Sequence, residues 1–158
     1  MNISDFETTT PVYRPEEYLD GVLEGWGVLE RLTGGLQQRF TVRAAGRFDG
    51  AELAFTEIWT FDDGHVDTLH WRIRPLGDGK YAGTEDRLDG QAEGDQAGCA
   101  FHWRYSRDVP QKDGSSTRLN FNDWFYRIDE RVVMVKGTAG RLGLPFGTAH
   151  VLYRKLDD

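Results

Sequence analysis

Beyond Gly21 almost every residue of this chain belongs to a stretch whose side chains alternate between two faces. In LAFTEIWTF (Leu53–Phe61), one face carries Leu53, Phe55, Glu57, Trp59 and Phe61, and the other Ala54, Thr56, Ile58 and Thr60. Further on the N-terminal side, Phe40, Val42, Ala44, Gly46 and Phe48 oppose Arg39, Thr41, Arg43 and Arg47. Later, Cys99, Phe101, Trp103 and Tyr105 share a face. A period of two is the signature of strands with one side buried. The pattern predicts nine or ten strands, over 22–32, 37–48, 51–61, 67–74, 81–86, 88–93, 98–108, 117–128, 132–138 and 148–156. Gly- and Asp-rich turns such as FDG, FDDGH and LGDGK join them, as in an antiparallel meander. The stretch RPEEYLDG departs from this pattern. Pro15 suits a first helical position, Glu16 and Glu17 a first turn, and Gly21 a stop, which predicts one helical turn over 15–19.

With no long helix to cover a sheet face, an open sheet of one-sided strands would leave a large apolar surface wet. Closing the sheet on itself removes that surface and the unpaired edges together. The expected fold is therefore all-β: an antiparallel up-and-down barrel of eight to ten strands, with the short helical turn over one mouth. At 158 residues the chain suits a single domain. Residues 14–158 are assigned to the barrel and 1–13 to a loose leading segment.

Several function classes are excluded at this level. A net charge of −7 with no basic run argues against nucleic acid as a partner. A single cysteine, Cys99, permits no internal disulfide. No apolar run approaches the ~18 residues of a membrane span, and the chain opens with neither a signal-peptide core nor a lipobox, so a cytoplasmic location is expected. His65, His70, His102 and His150 lack metal-ligand spacing, and no phosphate loop or nucleophile elbow is present. Neither a metal nor a cofactor is expected.

Glu57 poses the functional question, because it stands in the middle of the most apolar strand face. If Asp62-Asp63-Gly64 forms a three-residue hairpin loop, Phe61 pairs with His65, Trp59 with Asp67, Glu57 with Leu69, Phe55 with Trp71 and Leu53 with Ile73. This register leaves Arg72 and Arg74 in water. In the later hairpin, a turn at Asp129-Glu130 would set Phe125 against Met134, Asp123 against Lys136 and Phe121 against Thr138. Both faces of that hairpin are apolar, so Asp123 and Lys136 are placed inward or outward with equal ease. An isolated buried carboxylate costs several kcal/mol unless it is paired or protonated. The available partners for Glu57 are Lys136, Tyr105, Tyr81, an indole N–H, water or a ligand. Twenty aromatic side chains (5 Trp, 6 Tyr and 9 Phe) are enough to line such a cavity.

The segments GWGVLERLTGGLQQRFTV, FNDWFYRID and GRLGLPFGTAHVLYRK, with Trp103-Arg104-Tyr105 ahead of a Val-Pro pair, resemble the bacterial family called domain of unknown function 3833 over 21–155. Glu57 and Asp123-Trp124 fall on matching positions, and Lys136 stands where the family usually carries Arg. Phe125, Leu142 and Phe146 depart from the family pattern. Family members often carry a lipoprotein-type leader, which this chain lacks. The resemblance implies a lipocalin-like barrel and no established reaction. Some small barrels of that shape hold haem through one histidine on a late strand, which marks His150 as a lesser candidate.

Together these readings give a barrel that binds a small hydrophobic molecule, fatty-acyl or isoprenoid-like. Trp59, Trp71, Trp103 and Tyr105 would line the cavity, and Glu57, Asp123 and Lys136 would hold a polar head. One alternative is a cofactor-free isomerase or cyclase with Glu57 as acid or base. The other is a structural barrel with a packed interior.

Overall fold

A computed structural model describes residues 1–110, 113–141 and 144–156. Its strands are β1 (Gly21–Arg31), β2 (Leu36–Phe48), β3 (Leu53–Phe61), β4 (Val66–Gly77), β5 (Lys80–Glu85), β6 (Ala92–Ala97), β7 (Ala100–Pro110), β8 (Ser116–Arg127), β9 (Val132–Arg141) and β10 (Leu144–Lys155). Each strand pairs antiparallel with its neighbours in sequence, and β10 returns to β1, which closes the barrel. The helical turn is α1 (Pro15–Tyr18), with Pro15 at its start, preceded by a 3₁₀ turn at Ile3–Phe6. No helix among the described residues is long and apolar enough to cross a membrane.

The β3–β4 hairpin has the register expected from its three-residue loop: Trp59 opposes Asp67, Glu57 opposes Leu69 and Phe55 opposes Trp71. Three other expectations are corrected. First, the β8–β9 hairpin is shifted by one residue, so Trp124 opposes Lys136 and Asp123 opposes Gly137. The turn is wider than two residues, because the Ile128 N–H donates to the Val132 carbonyl and Asp129 caps the N–H groups of Arg131 and Val132. A one-residue slip reverses every side chain, and Lys136 is left exposed on the outside.

Second, β6 lies at Ala92–Ala97, later than 88–93, because Gly98-Cys99 makes a tight two-residue turn into β7. Third, the leading segment packs against the barrel. Phe6 lies against Trp124 and Tyr126, the Cys99 N–H donates to the Thr9 hydroxyl, and Tyr13 is completely buried. Leu142, where the family resemblance departs, lies outside the described residues, and the same holds for the side chain of Phe146.

The interior differs between the two ends. Toward α1 it is solid: Leu23, Phe55, Ile73, Tyr81, Phe101, Trp103, Val133 and Tyr153 are all at most 6% exposed. Tyr13, Tyr18 and Leu19 close that mouth. Tyr13 packs on Tyr18, Phe101 and Phe125 with ring centroids 5.5–6.0 Å apart. Trp103 fits because its neighbours across the wall are glycines. A Cβ on Gly83 or Gly94 would come within 2.6–2.7 Å of its ring.

At the other end the inward side chains remain partly exposed. They include Leu29, Trp59, Phe61, Leu88, Tyr105, Phe121 and Asp123. The wall facing them is made of small residues, Gly137 and Ala139 on β9 and Gly147 and Ala149 on β10.

Candidate functional site

Glu57 lies where the solid and open halves meet, and it is 7% exposed. Strand alternation points it inward, and the surrounding aromatic residues remove its water. Two donors replace that water. The Tyr153 hydroxyl donates to one carboxylate oxygen at 2.6 Å, and the Trp71 indole N–H donates to the other at 3.2 Å. Burial raises the carboxyl above its usual range, while these hydrogen bonds, with a smaller contribution from Trp59, oppose the rise. The indole nitrogen of Trp59 is itself buried and closes no hydrogen bond of ordinary geometry. An indole partner for Glu57 was among the expectations; Tyr153 was missed. The alternation of Val151 and Tyr153 on the last strand was the signal for it.

Asp123 points inward from β8 and accepts a hydrogen bond from the Tyr105 hydroxyl at 3.2 Å. Gly137 leaves it room, since a Cβ there would lie 2.7 Å from Asp123 Oδ1. Burial, reinforced by the nearby Glu57 carboxylate, pushes Asp123 up to about 7, and Arg107 works in the opposite direction. The Glu57 carboxylate thus acts on Asp123 through space, while Tyr153 and Trp71 donate to Glu57 and Tyr105 donates to Asp123. Tyr105 stacks flat on Phe121 at 5.0 Å and meets Trp71 edge-on at 5.0 Å. Burial raises the hydroxyls of Tyr105 and Tyr153 well above the usual tyrosine range, so both stay protonated and remain donors.

Of the residues expected to form the site, Glu57, Trp59, Trp71, Tyr105 and Asp123 come together. Trp103 belongs to the solid half and is 3% exposed. Lys136 is corrected out of the lumen by the hairpin shift. Beside this cluster the inner face carries Arg107, which sequence reasoning passed over although it continues the inward series Phe101, Trp103, Tyr105. Its guanidinium lies over the Phe121 ring at 5.1 Å, and its Nε is buried without a partner. His150 is exposed on the outer surface, 3.5 Å from Glu30, so it is not placed to hold a haem in the lumen.

A second buried carboxylate, Glu85, accepts from the backbone N–H groups of His70 and Arg87 at 3.2 and 3.1 Å. It fastens the end of β5 and does not reach the lumen cluster. A shallow concavity of about 860 Å³ is lined by outward-facing Trp26, Met134, Lys136, His150 and Leu152, with Phe40 and Phe61 also on its wall. It does not include Glu57, Asp123 or Arg107.

The family model described as "Protein of unknown function (DUF3833)" matches residues 1–155. No curated protein matches the chain. Among solved structures, the S-type phycobiliprotein lyase CPES from Guillardia theta is similar, with a TM-score of 0.67 over 90% of each chain and 7% identity. At that identity the likeness is one of fold, a lipocalin-like barrel.

Proposed function

We propose that this chain, which belongs to the DUF3833 family of proteins of unknown function, binds a small, largely apolar molecule in the open half of its barrel. One observation carries the reading: inward-facing Trp59, Phe61, Tyr105, Phe121 and Asp123 keep accessible surface, whereas Leu23, Phe55, Ile73, Phe101 and Trp103 toward α1 are at most 5% exposed. Apolar walls with a few convergent polar groups are the usual make-up of a small-molecule site. Fatty-acyl and isoprenoid-like chains fit that lining. Glu57 serves as a support in this reading, because both of its oxygens already accept hydrogen bonds from the wall. The isomerase alternative needs a carboxyl that meets substrate, and the hydrogen bonds already made by both Glu57 oxygens favour the binding reading over it.

The test is titration with the neutral fluorophore N-phenyl-1-naphthylamine, in the wild type and in Ala149→Phe, which fills the small-residue wall. Binding should be present in the wild type and lost in Ala149→Phe at unchanged thermal stability. Leu152→Asp, on the outer concavity, should bind normally. Loss in Leu152→Asp with retention in Ala149→Phe would move the site to the outside and end this reading. Mass spectrometry of solvent extracts from the purified protein would identify a co-purifying molecule.

A further inference from the structure

We propose that Arg107 is the anchor for a carboxylate head group, so that the ligand of the open half is a monocarboxylic amphiphile. This rests on the reading of the open half as a binding site. Arg107 enters the lumen from β7 on the same face as Trp103 and Tyr105, with its guanidinium over the Phe121 ring. Its Nε is buried and has no hydrogen-bond partner, and among the described residues no carboxylate comes within ion-pair distance of its guanidinium. A buried guanidinium N–H without an acceptor is unfavourable, and Asp123 and Glu57 act on Arg107 only through space, with no hydrogen bond to it.

The neighbouring acids are already engaged. Asp67 pairs with Arg87 at 2.8 Å, and Glu85 lies 3.6 Å from the same arginine. Asp89 and Asp108 pair with Arg118. Asp123 takes the Tyr105 hydroxyl, and Glu57 takes Tyr153 and Trp71. What Arg107 lacks is an acceptor for its buried Nε, and it shares the inner face with the partly exposed Phe121 and Tyr105.

The surroundings also select the kind of anion. A guanidinium presents a planar fork that matches carboxylate and phosphate alike. A phosphate carries about −1.5 to −2 charges near neutrality, and it would sit in the field of both Asp123 and Glu57. A single negative charge is repelled less, and a carboxylate can also accept a hydrogen bond from a protonated Asp123. The apolar remainder of the ligand would cross the lumen past Trp59 and Phe61 to the Ala139–Ala149 wall.

The test is calorimetric titration with dodecanoate, dodecanol and dodecyl phosphate, using the wild type and Arg107→Gln. The wild type should bind dodecanoate at least about tenfold more tightly than dodecanol, as expected for a hydrogen bond to a charged group, and more tightly than dodecyl phosphate. Arg107→Gln should bind dodecanoate and dodecanol alike, with dodecanol unchanged from the wild type. Should Arg107→Gln fail to fold, Arg107→Lys takes its place, and a weaker preference for dodecanoate is expected there. Equal affinity of the wild type for dodecanoate and dodecanol overturns the anchor and leaves the binding site standing. Preference for dodecyl phosphate overturns the choice of carboxylate. Binding of none of the three overturns the anchor together with the site.

Discussion

The two ends of this barrel are built from the same alternating strands, yet one is closed over a packed core and the other keeps several inward side chains partly exposed. Toward α1, the inward positions hold aromatic and branched residues, and glycines are set opposite the largest rings, as Gly83 and Gly94 are to Trp103. Tyr13, Tyr18 and Leu19 then cover the mouth. Toward the other end, aromatic residues on β3, β7 and β8 face Gly137, Ala139, Gly147 and Ala149 on β9 and β10. Of the buried polar atoms without a partner, the Tyr13 hydroxyl lies in the first half, and Trp59 Nε1 and Arg107 Nε in the second. Glu57 marks the boundary.

The comparison is most easily broken by paired truncations. Phe101→Ala, in the solid half, should cost about 3–5 kcal/mol. Phe61→Ala, beside the open mouth, should cost about 1 kcal/mol, because its ring is already partly in water. Urea denaturation of both variants checks this, and equal losses would erase the distinction.

A pH series sharpens it. Asp123 titrates at about 7 when folded, above its value of 3.8 as a free side chain. The folded state therefore binds the proton more tightly than the unfolded chain. The stability from this group is fully present below about pH 4 and declines as pH rises towards 7. Asp123→Asn keeps an acceptor for the Tyr105 hydroxyl without the charge. It should gain stability relative to wild type as pH increases, by about 1–3 kcal/mol at pH 8 after discounting for partial exposure. Glu57, raised in the same direction, leaves a residual slope in both proteins. A difference that does not change between pH 5 and pH 8 would show that Asp123 is not held in a desolvated place.

The smallest effect concerns the fit between β8 and β9. Gly137→Ala should cost about 1 kcal/mol by pressing on the Asp123 carboxylate. In an Asp123→Ala background the same change should cost measurably less, and a double-mutant cycle measures the coupling. Strict additivity would separate the two residues.

The strand pattern carried the architecture. Antiparallel strands with one apolar face and no covering helices must close, and the β3–β4 register followed from a three-residue Asp-Asp-Gly loop and the need to keep Arg72 and Arg74 wet. Alternation also placed Glu57 inside and put an indole among its partners. It could not orient β8 and β9, because both faces of that hairpin are apolar, and a turn one residue wider moved Lys136 out; the inward place of Arg107 was legible in the alternation of β7. Contacts between distant strands are not written in local periodicity. Tyr153 reaches Glu57 across 96 residues. The sealing of one mouth depends on where the leading segment docks, which is a matter of shape and packing. Periodicity determines which side of the wall a residue occupies; what it meets inside is decided only when the ten strands close around it.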